Sequence, residues 1–332
     1  MLEAYPFAAA QAARVLRLVL ATFAFAAGQA WAAGGVQPPP GSVPLAVTLD
    51  ELGSTGPEPV EKIAKALRGA GVAEAYGFVA GARIAEDPAN AESIRLWLRY
   101  GYQIGNHTFS HRSLSDVSAD VFMQDILENE TVLKRFARPG DDWHWFRYPY
   151  LSEGETVAKK ATVRSFLQNM PTGQNYRIAE VTVDYADWLF DAAYSRCLEQ
   201  GRTDRIAWLK EVYLHKATYS FMEAQANARG LFGRDIPHIL LVHYSRFTGE
   251  IMADLLAALK ADGARFVTLG EAQSDPVFET DPETVLPHGD NFLNTRLLAR
   301  FPPTNQGSPA RVSAWKAQVN SACTEVPGSA LP

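Results

Sequence analysis

Cysteine is nearly absent from this chain, at two of 332 residues, Cys197 and Cys323. With no CxxC and no Cys–His arrangement, thiol catalysis and a structural zinc ribbon are both poor readings. In an oxidising compartment the pair can form one disulfide tying the late tail to the middle of the chain, although nothing in the sequence shows that they meet. Histidine is scarce too, at seven residues. No stretch is dense in Lys and Arg, and the formal net charge is −6. The basic footprint of a nucleic-acid binder is therefore missing. No internal repeat occurs, and no low-complexity tract beyond one short Gly/Pro linker.

What is present begins with a leader. Arg14 and Arg17 precede the apolar run "LVLATFAFAA", Leu18 to Ala27, and "AWAAGG" supplies a small-residue cleavage site after Ala32. The run is too short to span a bilayer comfortably. Residues 1–32 therefore read as a signal peptide, with an uncleaved anchor as the alternative, and the mature protein as periplasmic or secreted, with no stable transmembrane span after cleavage. Residues 33–43, "AGGVQPPPGSV", are a Gly/Pro linker that holds neither helix nor central strand.

Nearly half the residues are hydrophobic, enough for a sizeable core. "PLAVTLDE" reads as a buried strand with polar residues at its carboxyl end. Val60, Ile63, Ala64 and Leu67 share one helical face, stopped by Gly69 and Gly71. "AYGFVAG" is a second strand, and Ile94, Trp97 and Leu98 mark a second helix. Ser118 can cap a helix carrying Phe122, Ile126, Leu133 and Phe136. Strand candidates follow at "HWFRYPY", "RIAEVTVDYADW", "HILLVHYS" and "RFVTLGEA", with an amphipathic helix at "GEIMADLLAALKADG". A charged and aromatic helical insertion fills about 189–235. From about Asp281, Pro, Asn, Gly and Ser dominate, so 281–332 reads as an irregular tail. Strands alternating with helices imply parallel strands in an α/β fold.

Polar residues collect at the ends of these strands: Asp50 and Glu51, His107 and His111, Arg147, Asp184 and Asp187, and His243. In barrels of alternating strands and helices, the strand carboxyl ends face a common mouth where chemistry sits. "GNHTFSHRSL" sets His107 and His111 four residues apart, and on one helical turn such imidazoles point the same way and can hold one metal ion. A carboxylate from another element would complete three ligands and leave one position open.

The ordered set "VTLDE", "NHTFSH", "RYPY", "VDYADW" and "LLVH" resembles the five motifs of polysaccharide deacetylases, the NodB-homology domains of carbohydrate esterase family four. The resemblance spans roughly Pro44 to Phe278, within a catalytic domain placed at 44–280. It implies a distorted (β/α) barrel of about seven parallel strands. It also implies a divalent metal, zinc or else Co2+, Ni2+, Mn2+ or Fe2+, held by Glu51, His107 and His111. Asp50 matches the general base toward metal-activated water, and Arg147 the residue that orients it and keeps it ionised. The backbone N–H of Tyr150 matches an oxyanion donor, and His243 the general acid. Asp184 is the first candidate to orient His243 and Asp187 the second. Trp188 and Leu241 resemble the apolar wall for the acetyl methyl, with ordinary core packing as the alternative.

Two departures stand out. The family usually has Asp where this chain has Glu51, and the extra methylene moves the carboxylate by more than about an ångström unless the backbone compensates. It usually has Gly where this chain has Leu151, which is costly if the turn needs positive φ. The insertion is long enough to roof a groove. His144, Trp143 and Trp145 read as core or as a sugar platform, and His215, His238 and His288 as structural. The implied activity is hydrolysis of N-acetyl (or O-acetyl) groups of a cell-envelope or extracellular polysaccharide. The alternative is a catalytically impaired, deacetylase-fold carbohydrate-binding protein. A glycosidase would leave both histidines and Arg147 without a task.

Overall fold

The computed structural model describes residues 41–302 and 310–324; the proposed signal peptide and most of the linker lie outside them. Seven parallel strands form one sheet: β1 Val43–Leu52, β2 Ala75–Val79, β3 Gln103–Asn106, β4 Trp145–Phe146, β5 Arg177–Ile178, β6 His238–His243 and β7 Ala264–Val267. The order is β5-β4-β3-β2-β1-β6, with β7 pairing the first residues of β1. The helices are α1 Pro57–Gly69, α2 Ala82–Glu86, α3 Pro88–Arg99, α4 Ala119–Leu133, α5 Val157–Gln168, α6 Leu189–Glu199, α7 Thr203–Phe232, α8 Arg246–Ala261, α9 Leu269–Gln273, α10 Phe292–Arg300 and α11 Ala310–Asn320.

The sheet curls and closes through one extended segment. Ala179 N–H donates to Phe146 O at 2.7 Å on the β4 edge. Three and four residues on, Thr182 N–H donates to Ile239 O and Leu241 N–H to Val183 O on the β6 edge, both at 3.0 Å. Residues 177–183 thus bridge the two ends of the sheet, which makes it the distorted (β/α) barrel expected of the motif set. Of "RIAEVTVDYADW" only Arg177–Ile178 is ladder strand, with a single further bridge at Val183. Its later residues turn instead into the site.

β1 is central and covered on both faces. Leu45, Ala46, Val47 and Leu49 are at most 1% exposed, which is why its sequence is an unbroken apolar run rather than an alternating one. The shared face predicted for α1 is buried at Val60, Ile63, Ala64 and Leu67. Val60, Ile63 and Leu67 each stabilise the fold by about 1.5–3 kcal/mol relative to exposure, so a charge at Leu67 would cost that and its own desolvation. The predicted cap of α4 is present, Ser118 Oγ accepting from Val121 N–H at 3.3 Å.

Two expectations are corrected. The helical insertion exists as α6 and α7, but α7 turns Leu209, Tyr213, Ala217, Phe221, Ala224 and Ala228 inward as one buried stripe. It packs as a buttress, and none of its residues lines the cleft at the strand ends. The tail is not irregular throughout, since it holds α10 and α11. Cys197 and Cys323 form a disulfide that clips α11 to α6. Arg196 donates to Asn320 O and Ala322 O, and Gln200 to Cys323 O, so the carbonyls at the end of α11 find partners.

Candidate active site

Because every strand is parallel, the carboxyl ends of β1, β3, β4 and β6 open on one face, where a cleft of about 580 Å³ lies. Asp50, Glu51, His107, His111, Tyr150, Leu151, Asp184, Trp188, Leu241 and His243 all line it. Arg147 lies beneath Asp50 and Asp187 behind His243. Eight described non-glycine residues have positive φ, and six belong to this region: Glu51, Thr108, His111, Tyr150, Leu151 and Ala186. Such backbone costs on the order of 1–3 kcal/mol each and persists only where the surroundings impose it.

The first cluster is Asp50 with Arg147. Both are almost fully buried, and the Arg147 Nη1 donates to Oδ1 of Asp50 at 3.2 Å and Oδ2 at 3.4 Å. Nη2 donates to Thr48 Oγ1 at 2.9 Å and Nε to Ala179 O at 2.8 Å, while the guanidinium lies 4.7 Å from the Phe78 ring centroid. Arg147 therefore braces the carboxylate and the closing segment together. Burial dominates over the attraction of Arg147 and His243 and lifts the Asp50 pKa to about 6. The ion pair alone would have placed it lower.

The two histidines meet, but not on a helix. His107 follows β3, and Thr108 and His111 have φ of 61° and 54°, so the chain loops rather than winds. Asn106 sets this loop. Its Oδ1 accepts from Thr108 N–H at 2.9 Å and from Asn129 Nδ2 at 2.8 Å, a local side-chain bond that competes with helix formation. The result still brings His111 Nε2 to 3.2 Å from His107 Nε2. His107 Nδ1 faces the carbonyl of Arg147 at 2.8 Å, which can only accept, so Nδ1 carries the proton and Nε2 presents its lone pair. Burial is the main cause that pushes both imidazoles toward their neutral form, which metal ligation requires.

Glu51 sits on a bulge. The β1–β2 register shifts between Asp50 and Leu52, and Glu51 takes φ 66° there, turning its side chain into the cleft. Its Oε1 is 3.5 Å from His111 Nε2. Two ligands about 2.0–2.1 Å from a tetrahedral zinc lie about 3.3 Å apart, so both spacings suit one small ion. The third edge is not closed: no three-donor cluster is preformed among the described residues. Glu51, with its side chain 32% exposed, has the freedom to complete it. By donor chemistry, and by two of its three spacings, the set suits a divalent metal.

At the end of β6, His243 pairs directly with Asp187 rather than with Asp184. Asp187 Oδ1 meets His243 Nδ1 at 2.7 Å, and Oδ2 accepts the His243 backbone N–H at 2.7 Å. Asp184 turns back on its own chain, accepting from Ala186 N–H at 3.0 Å. The order expected from the sequence is thus reversed, because the left-handed Ala186 at φ 56° redirects the chain between the two acids. Burial opposes the charged imidazole, but Asp187, aided by Asp50 and Glu51, outweighs it and raises the His243 pKa to about 10.

The turn carrying Tyr150 and Leu151 has φ of 58° and 54°, so leucine does occupy a left-handed position usually given to glycine. Tyr150 is 60% exposed, with its ring centroid 4.8 Å from that of His111. Trp188 is 57% exposed and Leu241 4%. His144, Trp143 and Trp145 pack into core aromatic clusters away from the cleft. Sequence reading missed the wall opposite: His288, Gly289 and Asp290, with Lys316 from α11, also line the cleft. Gly289 is required there, since a Cβ would stand 2.0 Å from Tyr150 O and φ is +72°. The signal in "PHGDN" was a glycine before the Asn291 cap of α10, submerged in tail-like composition.

Residues 38–165 match the family model described as polysaccharide deacetylase, a stretch that holds three of the five motifs, "VTLDE", "NHTFSH" and "RYPY". The peptidoglycan-N-acetylglucosamine deacetylase of Bacillus cereus is 26% identical over 175 residues, covering 51% of this chain and 48% of that one. The chain thus spans about half the length of the curated relative it matches. Similar solved structures include peptidoglycan deacetylase PdaC from Bacillus subtilis, at 19% identity, 72% and 96% coverage and a TM-score of 0.47. A family 4 acetyl xylan esterase from Clostridium thermocellum, in complex with a cobalt ion, gives 19%, 70% and 90%, and 0.47. A CE4 family pseudoenzyme from Bacillus anthracis gives 17%, 70% and 66%, and 0.48. No described helix is long and apolar enough to cross a membrane.

Proposed function

We propose that the chain is a metal-dependent hydrolase that removes N-acetyl (or O-acetyl) groups from an extracellular or cell-envelope polysaccharide. One observation carries this reading: a braced carboxylate, a charged His–Asp pair and two neutral imidazoles beside Glu51 converge on one cleft. His107, His111 and Glu51 would hold the ion. Zinc suits them, and cobalt, nickel, manganese or iron would as well. Such an ion, when bound, polarises the acetyl carbonyl and acidifies water.

The protein's own groups then divide the proton work. Asp50 takes a proton as the water oxygen bonds to the acetyl carbon, and a pKa of about 6 leaves it ionised yet basic near neutral pH. The Tyr150 backbone N–H donates to the developing oxyanion. His243 starts as imidazolium and gives its proton to the nitrogen as the C–N bond breaks, leaving acetate and a free amine. A proton held with an amine-like affinity of about 10 suits an amine leaving group. Asp187 fixes the ring and compensates its charge. Leu241 and Trp188 form the apolar side that receives the methyl group.

A second reading has one observation in its favour: the three donors are not preformed as a cluster, and Glu51 replaces the usual Asp. On that reading the chain binds acetylated carbohydrate without turning it over. Acetate release from N-acetylglucosamine oligomers, with and without added zinc, cobalt, nickel or manganese, separates the two. Metal-dependent release supports the hydrolase, and saturable sugar binding with no release under any loading overturns it.

A further inference from the structure

The cleft has a feature that the deacetylation chemistry leaves unused. Asp50, Glu51, Asp184 and Asp290 make its lining acidic, and Lys316 is the one lysine or arginine among the described residues that line it. Lys316 belongs to α11, outside residues 38–165. It makes no ion pair with a carboxylate among the described residues, its recorded contact being the face of its neighbour Trp315 at 5.9 Å. Asp290, the acid whose charge it feels, already accepts from Asn294 Nδ2 at 2.9 Å and from Asn291 N–H at 2.7 Å. The cation is therefore near the cleft but not consumed by it.

The element that presents Lys316 is firmly built. The disulfide to Cys197 and the three hydrogen bonds from Arg196 and Gln200 hold the end of α11 on α6. Val319 and Ala322 are fully buried, and Trp315 stacks on Phe190 with ring centroids 6.2 Å apart. Trp188, immediately before α6, is 57% exposed, so its indole offers the same cleft more face than one acetyl methyl covers. An indole face and an ammonium group on the lining of one cleft are the groups that a sugar ring bearing a carboxylate would engage, one through its C–H face and one through its charge.

We infer that Lys316 and Trp188 form a subsite for a carboxylate-bearing sugar, so that the polysaccharide this cleft takes is acidic. This rests on the deacetylase reading only for the identity of the neighbouring sugar; the subsite itself is a binding property. It makes the disulfide-clipped tail a specificity element rather than an appendage.

Calorimetric binding to the full, metal-loaded protein tests it without relying on turnover. The probes are a neutral N-acetylglucosamine hexamer, a hexamer alternating N-acetylglucosamine with glucuronate, and one alternating N-acetylglucosamine with N-acetylmuramic acid. One or both carboxylate oligomers should bind at least about fivefold more tightly than the neutral one, and added salt should reduce the preference. Which of them is preferred distinguishes a uronate from a lactyl carboxylate. Lys316→Gln should abolish the preference while leaving neutral-oligomer affinity unchanged. Lys316→Glu should invert it, and Lys316→Arg should restore it. Equal affinity of the native protein for all three, or a preference that survives Lys316→Gln, overturns the subsite. Acetate release is read on the same samples. A carboxylate preference lost in Lys316→Gln, with no acetate from any oligomer, would sink the hydrolase and leave the subsite standing.

Discussion

Replacing Asp187 with Asn separates the two acids that compete for His243. In the native protein Asp187 supplies a carboxylate 2.7 Å from Nδ1 and accepts the backbone N–H of the same residue. The Asp187 side chain is 1% exposed and that of His243 19%, so water screens the pair weakly. A His243 pKa near 10 against an ordinary 6.5 corresponds to a bias of several kcal/mol toward imidazolium, at about 1.4 kcal/mol per tenfold change in proton affinity. Asparagine keeps the shape but removes the charge, leaving burial as the larger influence. His243 in Asp187→Asn should therefore titrate well below its native value, and in the direction of a neutral ring at pH 7. Nitrogen-15 NMR of labelled histidine across pH 5–11, in metal-free protein, reads this directly. The sign for stability follows. A folded pKa raised above the unfolded value contributes stability that is complete below about 6.5 and is lost as pH rises toward 10. Chemical denaturation should show that loss in the native protein and not in Asp187→Asn. Asp184→Asn should leave the titration nearly unchanged, since Asp184 bonds Ala186 N–H instead. A native pKa near 6.5, or an equal effect from Asp184→Asn, would refute the assignment.

Other perturbations have equally definite outcomes. Arg147→Ala strands the buried Asp50 carboxylate and leaves Thr48 Oγ1 and Ala179 O without the guanidinium, and should cost about 3–5 kcal/mol in urea denaturation. Asn106→Ala unseats the Thr108 turn and should weaken metal binding about 10- to 100-fold, measured by chelator competition. Cys197→Ala with Cys323→Ala opens a loop closed across 126 residues and should lower stability by about 2–5 kcal/mol, an effect reproduced in the native protein by a reductant. Gly289→Ala should displace the 287–290 wall from the Tyr150 turn and lower the melting temperature, because its Cβ has no room beside Tyr150 O.

The barrel was legible because its central strands are buried on both faces and so read as continuous apolar runs, as "PLAVTLDE" and "HILLVHYS" do. The site was legible where each group sits at a strand's end, as Asp50, Arg147 and His243 do. Legibility failed where single backbone angles decide direction. The spacing of His107 and His111 is the same in a helix and in a loop, and it is Asn106, accepting from Thr108 N–H, that selects the loop. Asp184 and Asp187 stand three residues apart, and Ala186 in the left-handed region decides which one faces His243. The tail hid its helices for another reason. Its helices are short and rely on tertiary anchors, the Cys197–Cys323 disulfide for α11 and the packing of Phe292 on Phe278 for α10, at 4.7 Å between ring centroids. Local composition carries no trace of such contacts.

Metal content together with acetate release tests the central claim most directly. The chain from Ala33 onward should bind one divalent metal by elemental analysis and release acetate from an N-acetylglucosamine or O-acetylated oligomer. His107→Ala should lose the metal and the activity together, while Asp50→Asn should keep the metal and lose the activity. A chain that takes up no metal under any loading condition, or an Asp50→Asn variant that releases acetate at the native rate, would contradict it.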